Sequence, residues 1–237
     1  SDIARAYCET EKLSLGSYTG WIRTLHKLVF HAGYPRDVIT ESADWAGYRL
    51  VWSAFLPHMD DGTLEKAERF VRGGGTWICG PMTGHRTAEH GVPTDYALGE
   101  IERRFGFSTK FIAPLHGATA DVEGCAERAA LTMWGFAFDE YGLTPLGRLR
   151  GGCMDGEVFF AEMSVGKGKL VLLGGTPAGE DGEKLLQWIA EKYIGQSGVT
   201  RDAVPSAGVD VIARENENGK ALIAVNMDST VGTVRLN

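Results

Sequence analysis

The stretch 72–87, RGGGTWICGPMTGHRT, holds the residues best placed for chemistry. An apolar run from Thr76 to Cys79 meets a glycine-bearing turn, and His85 follows six residues later. A cysteine at a strand end can act as a nucleophile when a histidine takes its proton and a third group orients that histidine. Here the turn is Gly80-Pro81, and a proline has no N–H to offer an oxyanion. The last strand-like segment, LLGGTPAGED, contains no histidine that could serve as the base. Cys79 therefore reads as a buried structural thiol, and no catalytic residue is assigned. His85 and His90 lie with Glu89 in GHRTAEHGVPTD. Glycine and proline bound that segment, so no helix would gather its H-x-x-x-E-H onto one face as a metal site. Cys79, His85 and His90 remain candidates for lining a ligand crevice at the carboxyl ends of strands. His58 and His116 are isolated. Asp60-Asp61 and Asp139-Glu140 are adjacent pairs, whereas a glycosidase needs two carboxylates about 5–10 Å apart across the scissile bond. Asp60-Asp61 reads instead as a helix cap. Gly174-Gly175 before a helix could receive an anion, but the full GxGxxG is missing. No cofactor and no metal are expected.

Elements must hold these residues in place. IARAYC reads as a first strand. In SYTGWIRTLHKLVFHAGY, Trp21, Leu25, Leu28 and Val29 recur at helical spacing before Gly33 and Pro35. RDVIT and YRLVWSAF read as strands, MDDGTLEKAERFVRGGG as a helix, TWICG as a strand, and TDYALGEIERRFG as a helix capped by Thr94 or Asp95. Such alternation predicts a mostly parallel sheet with helices on both faces. From KFIAPL to EVFFAEMSVGKG, short strands between turns predict an antiparallel β insertion. KLVLLGG then returns to the parallel pattern, Pro177 suits a first helical turn, and GEKLLQWIAEKYIG closes as a helix. Beyond Gly198 the sequence alternates as a hairpin turning at Asn218-Gly219. The expected division is a domain over 1–199 and a small β domain over 200–237.

Composition narrows the function classes. The chain has 237 residues, with 24 Lys plus Arg against 31 Asp plus Glu, a net charge of −7. No basic run stands out, so no nucleic-acid partner is expected. No apolar run is long enough to span a bilayer, so no membrane partner is expected either. Cys8, Cys79, Cys125 and Cys153 form no CxxC, which predicts reduced thiols in a cytoplasmic protein. The N-terminus, SDIARAYCET, is charged where a signal peptide is apolar, and its Ser-Asp start points to a processed or excised chain.

Together HAGYPRDVI and DWAGYRLVWSAFLPHMDDGTLEKAERFVRGGGTWICGPMTGHRT resemble the middle, trimerisation domain of glycoside hydrolase family 42 β-galactosidases. GKGKLVLLGGTPAGEDGEKLLQWI matches that domain's last strand and helix, and GVDVIARENENGKALIAVNMDST the start of the family's C-terminal β domain. The resemblance implies an α/β, Rossmann-like fold of the class I glutamine amidotransferase kind without that chemistry, followed by a small antiparallel β domain. It implies a non-catalytic assembly domain that joins the parent enzyme into a homotrimer and helps wall its neighbours' active sites. The family's catalytic glutamates sit in an upstream (β/α)8 barrel of about 250 residues. This chain starts past where such a barrel would end, so the resemblance implies a fragment whose galactoside substrate is handled by the missing barrel. Two alternatives belong to other classes. One is a stand-alone amidotransferase-like cysteine hydrolase. The other is a sugar-binding module, whose exposed tryptophans would come from Trp45, Trp52 and Trp134. A subunit contact is expected where one sheet and its helices leave apolar residues uncovered, among Phe55, Phe107, Phe111, Trp134, Phe136 and Phe138.

Overall fold

Helix α1 (Gly16–His31) forms on the stripe of Trp21, Leu25 and Leu28, which pack against the core, and Gly33 at φ +77° turns the chain away. The computed structural model describes residues 16–206, 208–227 and 229–237; the strand expected at IARAYC lies outside them. Helix α2 (Asp61–Arg72) starts at Asp60, whose carboxylate accepts from the Thr63 N–H at 2.7 Å. The Thr63 side chain first, and this N–H second, hold the Asp60 carboxyl below its ordinary value. The next helix, α3, is only Glu100–Phe105. Its cap is Gly99 at φ +55°, not Thr94 or Asp95, and Glu102 ties the chain around it. The buried Glu102 carboxylate accepts from Leu98 N at 2.6 Å and Thr109 N at 2.9 Å.

The strands are β1 (Leu50–Ser53), β2 (Thr76–Cys79), β3 (Thr109–Pro114), β4 (Thr119–Val122), β5 (Ala130–Thr132), β6 (Trp134–Phe138), β7 (Thr144–Arg150), β8 (Val158–Val165), β9 (Gly168–Leu173) and β10 (Thr176–Ala178). They make one sheet in the order β1-β2-β9-β8-β7-β4-β5-β10, with β6 joining β8 and β3 lying outside β6. Among the described residues only the β1–β2 and β2–β9 pairs of this sheet are parallel, and its other pairs are antiparallel.

The sheet also curls. In a flat sheet, five inter-strand steps of about 4.8 Å would put β10 about 24 Å from β9. Gly174 and Gly175 alone join the two strands, and three residue steps reach only about 11 Å. The far end of the sheet must therefore return to its centre. The joint is tight: Gly174 N donates to Phe159 O at 2.6 Å, and Phe136 N donates to Gly174 O at 2.7 Å.

These pairings overturn the expected Rossmann-like, amidotransferase-like, mostly parallel sheet. The segments read as a β insertion are no appendage; they pair into the main sheet and make most of it antiparallel and curved. Pro177, expected in a helix, lies in β10 opposite Leu131. Residues 36–40 form no strand.

Alternate residues of β9 face opposite sides. Leu170 and Leu172 pack with α2 residues Leu64, Ala67 and Val71. Val171 and Leu173 pack with Leu185, Leu186 and Ile189 of helix α4 (Gly179–Ser197). Beyond α4, β11 (Ala203–Pro205) pairs with β14 (Val234–Leu236), and β12 (Val209–Asn216) with β13 (Gly219–Asn226). The β12–β13 hairpin turns through Glu217-Asn218, since Asn216 already pairs with Gly219. It is fastened to α1, with His31 Nδ1 2.8 Å from the buried Asp210 carboxylate. Among the described residues no helix is long and apolar enough to cross a membrane.

Candidate functional site

The carboxyl ends of β1 and β2 lie side by side, and the loops leaving them are stitched together. Gly80 N donates to Ser53 O, Phe55 N to Pro81 O and Gly84 N to Leu56 O, all within 2.9 Å. Thr83 Oγ1 donates to Ser53 O at 2.8 Å, and the Trp77 indole N–H to Ser53 Oγ at 2.9 Å. Phe55 and Met82 hold φ of 53° and 59°, an uncommon conformation for large side chains, and both are buried.

Cys79 sits under these loops. It is 3% exposed and packs in the apolar cluster with Trp77 and Leu172. Burial pushes its thiol well above the ordinary cysteine value, so it carries no thiolate at neutral pH. His85 is also buried, its ring edge-on to Phe136 at 5.6 Å. Burial first, and Arg86 second, lower its pKa to about 3. It is therefore a neutral imidazole near pH 7. His90 stands apart on an exposed turn at φ +63°. A protonated thiol and a neutral ring sealed in the core make no nucleophile–base couple. Iodoacetamide near neutral pH is therefore expected to label exposed Cys153 in the native protein and Cys79 only after unfolding. Mass spectrometry of tryptic peptides reads this out, and native labelling of Cys79 at a rate matching Cys153 would contradict it.

A cavity of about 330 Å³ does open at this rim, but none of Cys79, His85 and His90 lines it. Its wall includes His58, Arg86, Thr87, Tyr96, Glu100 and Arg103. The Arg103 guanidinium lies 5.5 Å from the centre of the Tyr96 ring and pairs with Glu100 at 3.1 Å. His58 Nδ1 lies 3.3 Å from Arg86 O. These groups can bind, and the Arg103–Glu100 ion pair among them is exposed. Sequence reasoning missed Tyr96 and Arg103 because they were assigned to the interior of one long helix. Among the described residues no cluster of three or more His, Cys, Asp or Glu could hold a metal ion.

Of the three tryptophans considered for sugar binding, Trp45 is 3% exposed, Trp52 donates its indole N–H to Gly80 O at 2.8 Å, and only Trp134 is exposed. The aromatic residues considered for a subunit contact divide in the same way. Phe55, Phe107, Phe136 and Phe138 are core, with Phe107 edge-on to Phe138 at 6.1 Å, whereas Phe111 and Trp134 remain exposed. The first group packs in the cluster with Trp77, Leu170 and Leu172.

Residues 5–199 match the family described as the β-galactosidase trimerisation domain. β-Galactosidase YesZ of Bacillus subtilis (strain 168) is 34% identical over 236 residues, covering 100% of this chain and 36% of that protein. YesZ of Bacillus licheniformis is 32% identical over 237 residues, covering 100% and 36%. The chain thus spans 36% of the length of these curated relatives. Among solved structures, Gan42B, a GH42 β-galactosidase from G. stearothermophilus, superposes with a TM-score of 0.83 at 16% identity, covering 94% of this chain and 32% of that one. The β-galactosidase from Bacillus circulans sp. alkalophilus gives 0.79 at 18% identity, covering 89% and 32%. At these identities the likeness is one of fold. The chain belongs to the β-galactosidase trimerisation domain of glycoside hydrolase family 42.

Proposed function

We propose that this domain joins copies of a β-galactosidase into a homotrimer, and that terminal β-D-galactosides are hydrolysed by a (β/α)8 barrel elsewhere in the same protein. The observation carrying the reading is the family match over residues 5–199, together with full-length matches to two β-galactosidases nearly three times as long. The sealed state of Cys79 and His85 supports an assembly role over cysteine hydrolysis. The separate small sheets after α4 support a division near residue 199, with residues 200–237 opening a C-terminal β domain. Unpaired Cys79, Cys125 and Cys153 support a reducing, cytoplasmic setting.

Light scattering on the full-length protein is expected to give the mass of three chains, and a monomer would overturn the reading. The 237-residue chain on its own is expected to leave a nitrophenyl β-galactoside unhydrolysed. Turnover that a single Glu or Asp substitution within it abolished would place catalysis here instead.

A further inference from the structure

A cyclic trimer needs a heterologous contact, in which one patch meets a different patch on the next copy. The surface offers a knob and a hollow of opposite charge. The knob is the turn between β6 and β7. Tyr141 at its tip is 86% exposed, the most exposed aromatic side chain among the large hydrophobic residues described. The turn is nonetheless ordered: Asp139 Oδ1 accepts from Tyr141 N at 3.0 Å, and Leu143 N donates to Glu140 O at 3.1 Å. Glu140 is fixed by Arg148 at 3.0 Å. A large ring held out in water beside Asp139, on a turn whose backbone is already ordered, carries little further backbone ordering penalty on binding, and tyrosine is among the residues that dominate interface energies.

The hollow lies at the opposite, amino-terminal ends of β1 and β2. It is a cavity of about 420 Å³ between residues 44–49, the end of α2 and Gly73–Gly75. Arg49, Lys66 and Arg69 line it against a single carboxylate, Asp44, and Tyr48 and Phe70 give it apolar walls. Lys66 is pinned by Glu41 O at 2.6 Å and Ala43 O at 2.7 Å, so its charge stays in the wall. Among the described residues no ion pair engages Arg49 or Arg69. Three cations and aromatic walls fit an aromatic ring flanked by acids, through cation–π contact and charge pairing.

We propose that Tyr141 of one copy, flanked by Asp139 and Glu140, seats in the Arg49–Arg69 hollow of the next copy, and that three such contacts close the ring. This rests on the trimeric reading above. The test uses the full-length protein. Tyr141→Ser should raise the trimer's dissociation constant at least about tenfold in sedimentation or light-scattering dilution series. In a Cys153→Ser background, Tyr141→Cys combined with Arg69→Cys should yield a three-chain band with a short bismaleimide, and neither substitution alone should. A wild-type trimer that shows neither effect would overturn this contact and leave the trimer standing. A monomeric wild type would overturn both. A trimer without the cross-link, in which inorganic phosphate binds calorimetrically and Arg69→Glu abolishes that binding, would reassign the hollow to a small anion.

Discussion

Gly174→Ala is expected to destabilise the fold by about 3 kcal/mol or more, the upper range for forcing an atom into a closed space. The residue needs no unusual φ; it lacks room. A Cβ there would run into Phe136 O, with a Phe138 ring carbon 2.9 Å away and Phe159 O at 3.0 Å. Two of those three neighbours are backbone, held by the hydrogen bonds that Gly174 itself makes, so they cannot yield without opening the sheet. For a chain of this length the loss corresponds to a fall in Tm of roughly 10 °C. Gly195→Ala is the matched control: it lies in α4 with nothing within 4 Å of the added carbon. It should be neutral or stabilising by up to about 1 kcal/mol. Urea unfolding of both variants checks the pair. A Gly174→Ala protein within experimental error of wild type would mean that the joint between β9 and β10 is not as close as described.

Lys169→Met should have the second largest effect, and its size should depend on pH. Glu162 on β8 is largely buried between Lys169 Nζ at 2.6 Å and the Tyr193 hydroxyl at 2.7 Å. Burial is the largest single influence and pushes the carboxyl up. The hydrogen bonds from Lys169 and Tyr193, with the lysine charges, outweigh it together and leave the group below its ordinary value. A carboxyl lowered on folding adds stability above its unfolded pKa of about 4.3, which is lost as pH falls through the folded value. Without Lys169, burial dominates and the carboxyl should move up. The variant should then lose about 2 kcal/mol at pH 7 and recover part of that as the pH approaches 4, where wild type weakens. Adding Glu162→Gln should restore much of the neutral-pH loss. Unfolding midpoints between pH 4 and 8 measure it, and a deficit independent of pH would show that Lys169 contributes packing and not charge.

Where local pattern and burial agreed, the sequence was readable. Helix α2 followed from Asp60 and the apolar stripe of Leu64, Ala67 and Val71, and β2 and β9 from short apolar runs buried on both faces. RDVIT has the composition of a strand, but among the described residues no strand pairs beyond β1, and Val38 stays 66% exposed. YRLVWSAF shortens to Leu50–Ser53 because the chain turns at Phe55. AALTMWGFAF divides at Met133, φ +65°. Pro177 looked like a helix start because nothing local announces that β5 will curl round to meet it; an edge strand tolerates its missing N–H. The burial of Cys79 was legible from its strand. The rim cavity was not, since it arises where loops distant in sequence converge.

The place of β9 has a consequence for how the chain is made. Strand β2 is buried at all four positions and lies between β1 and β9. On the ribosome β1 can pair with it at once, but residues 168–173 emerge only after the whole stretch from Gly80 to Lys167 has been synthesised. At about 5–20 residues per second this interval lasts roughly 5–20 seconds. Throughout it TWIC presents an unpaired apolar edge, the kind of surface that recruits other nascent chains. Completion of this domain waits on a late strand inserting at its centre, so its yield in a cell should depend on chaperone supply and translation speed more than on the final stability of the fold.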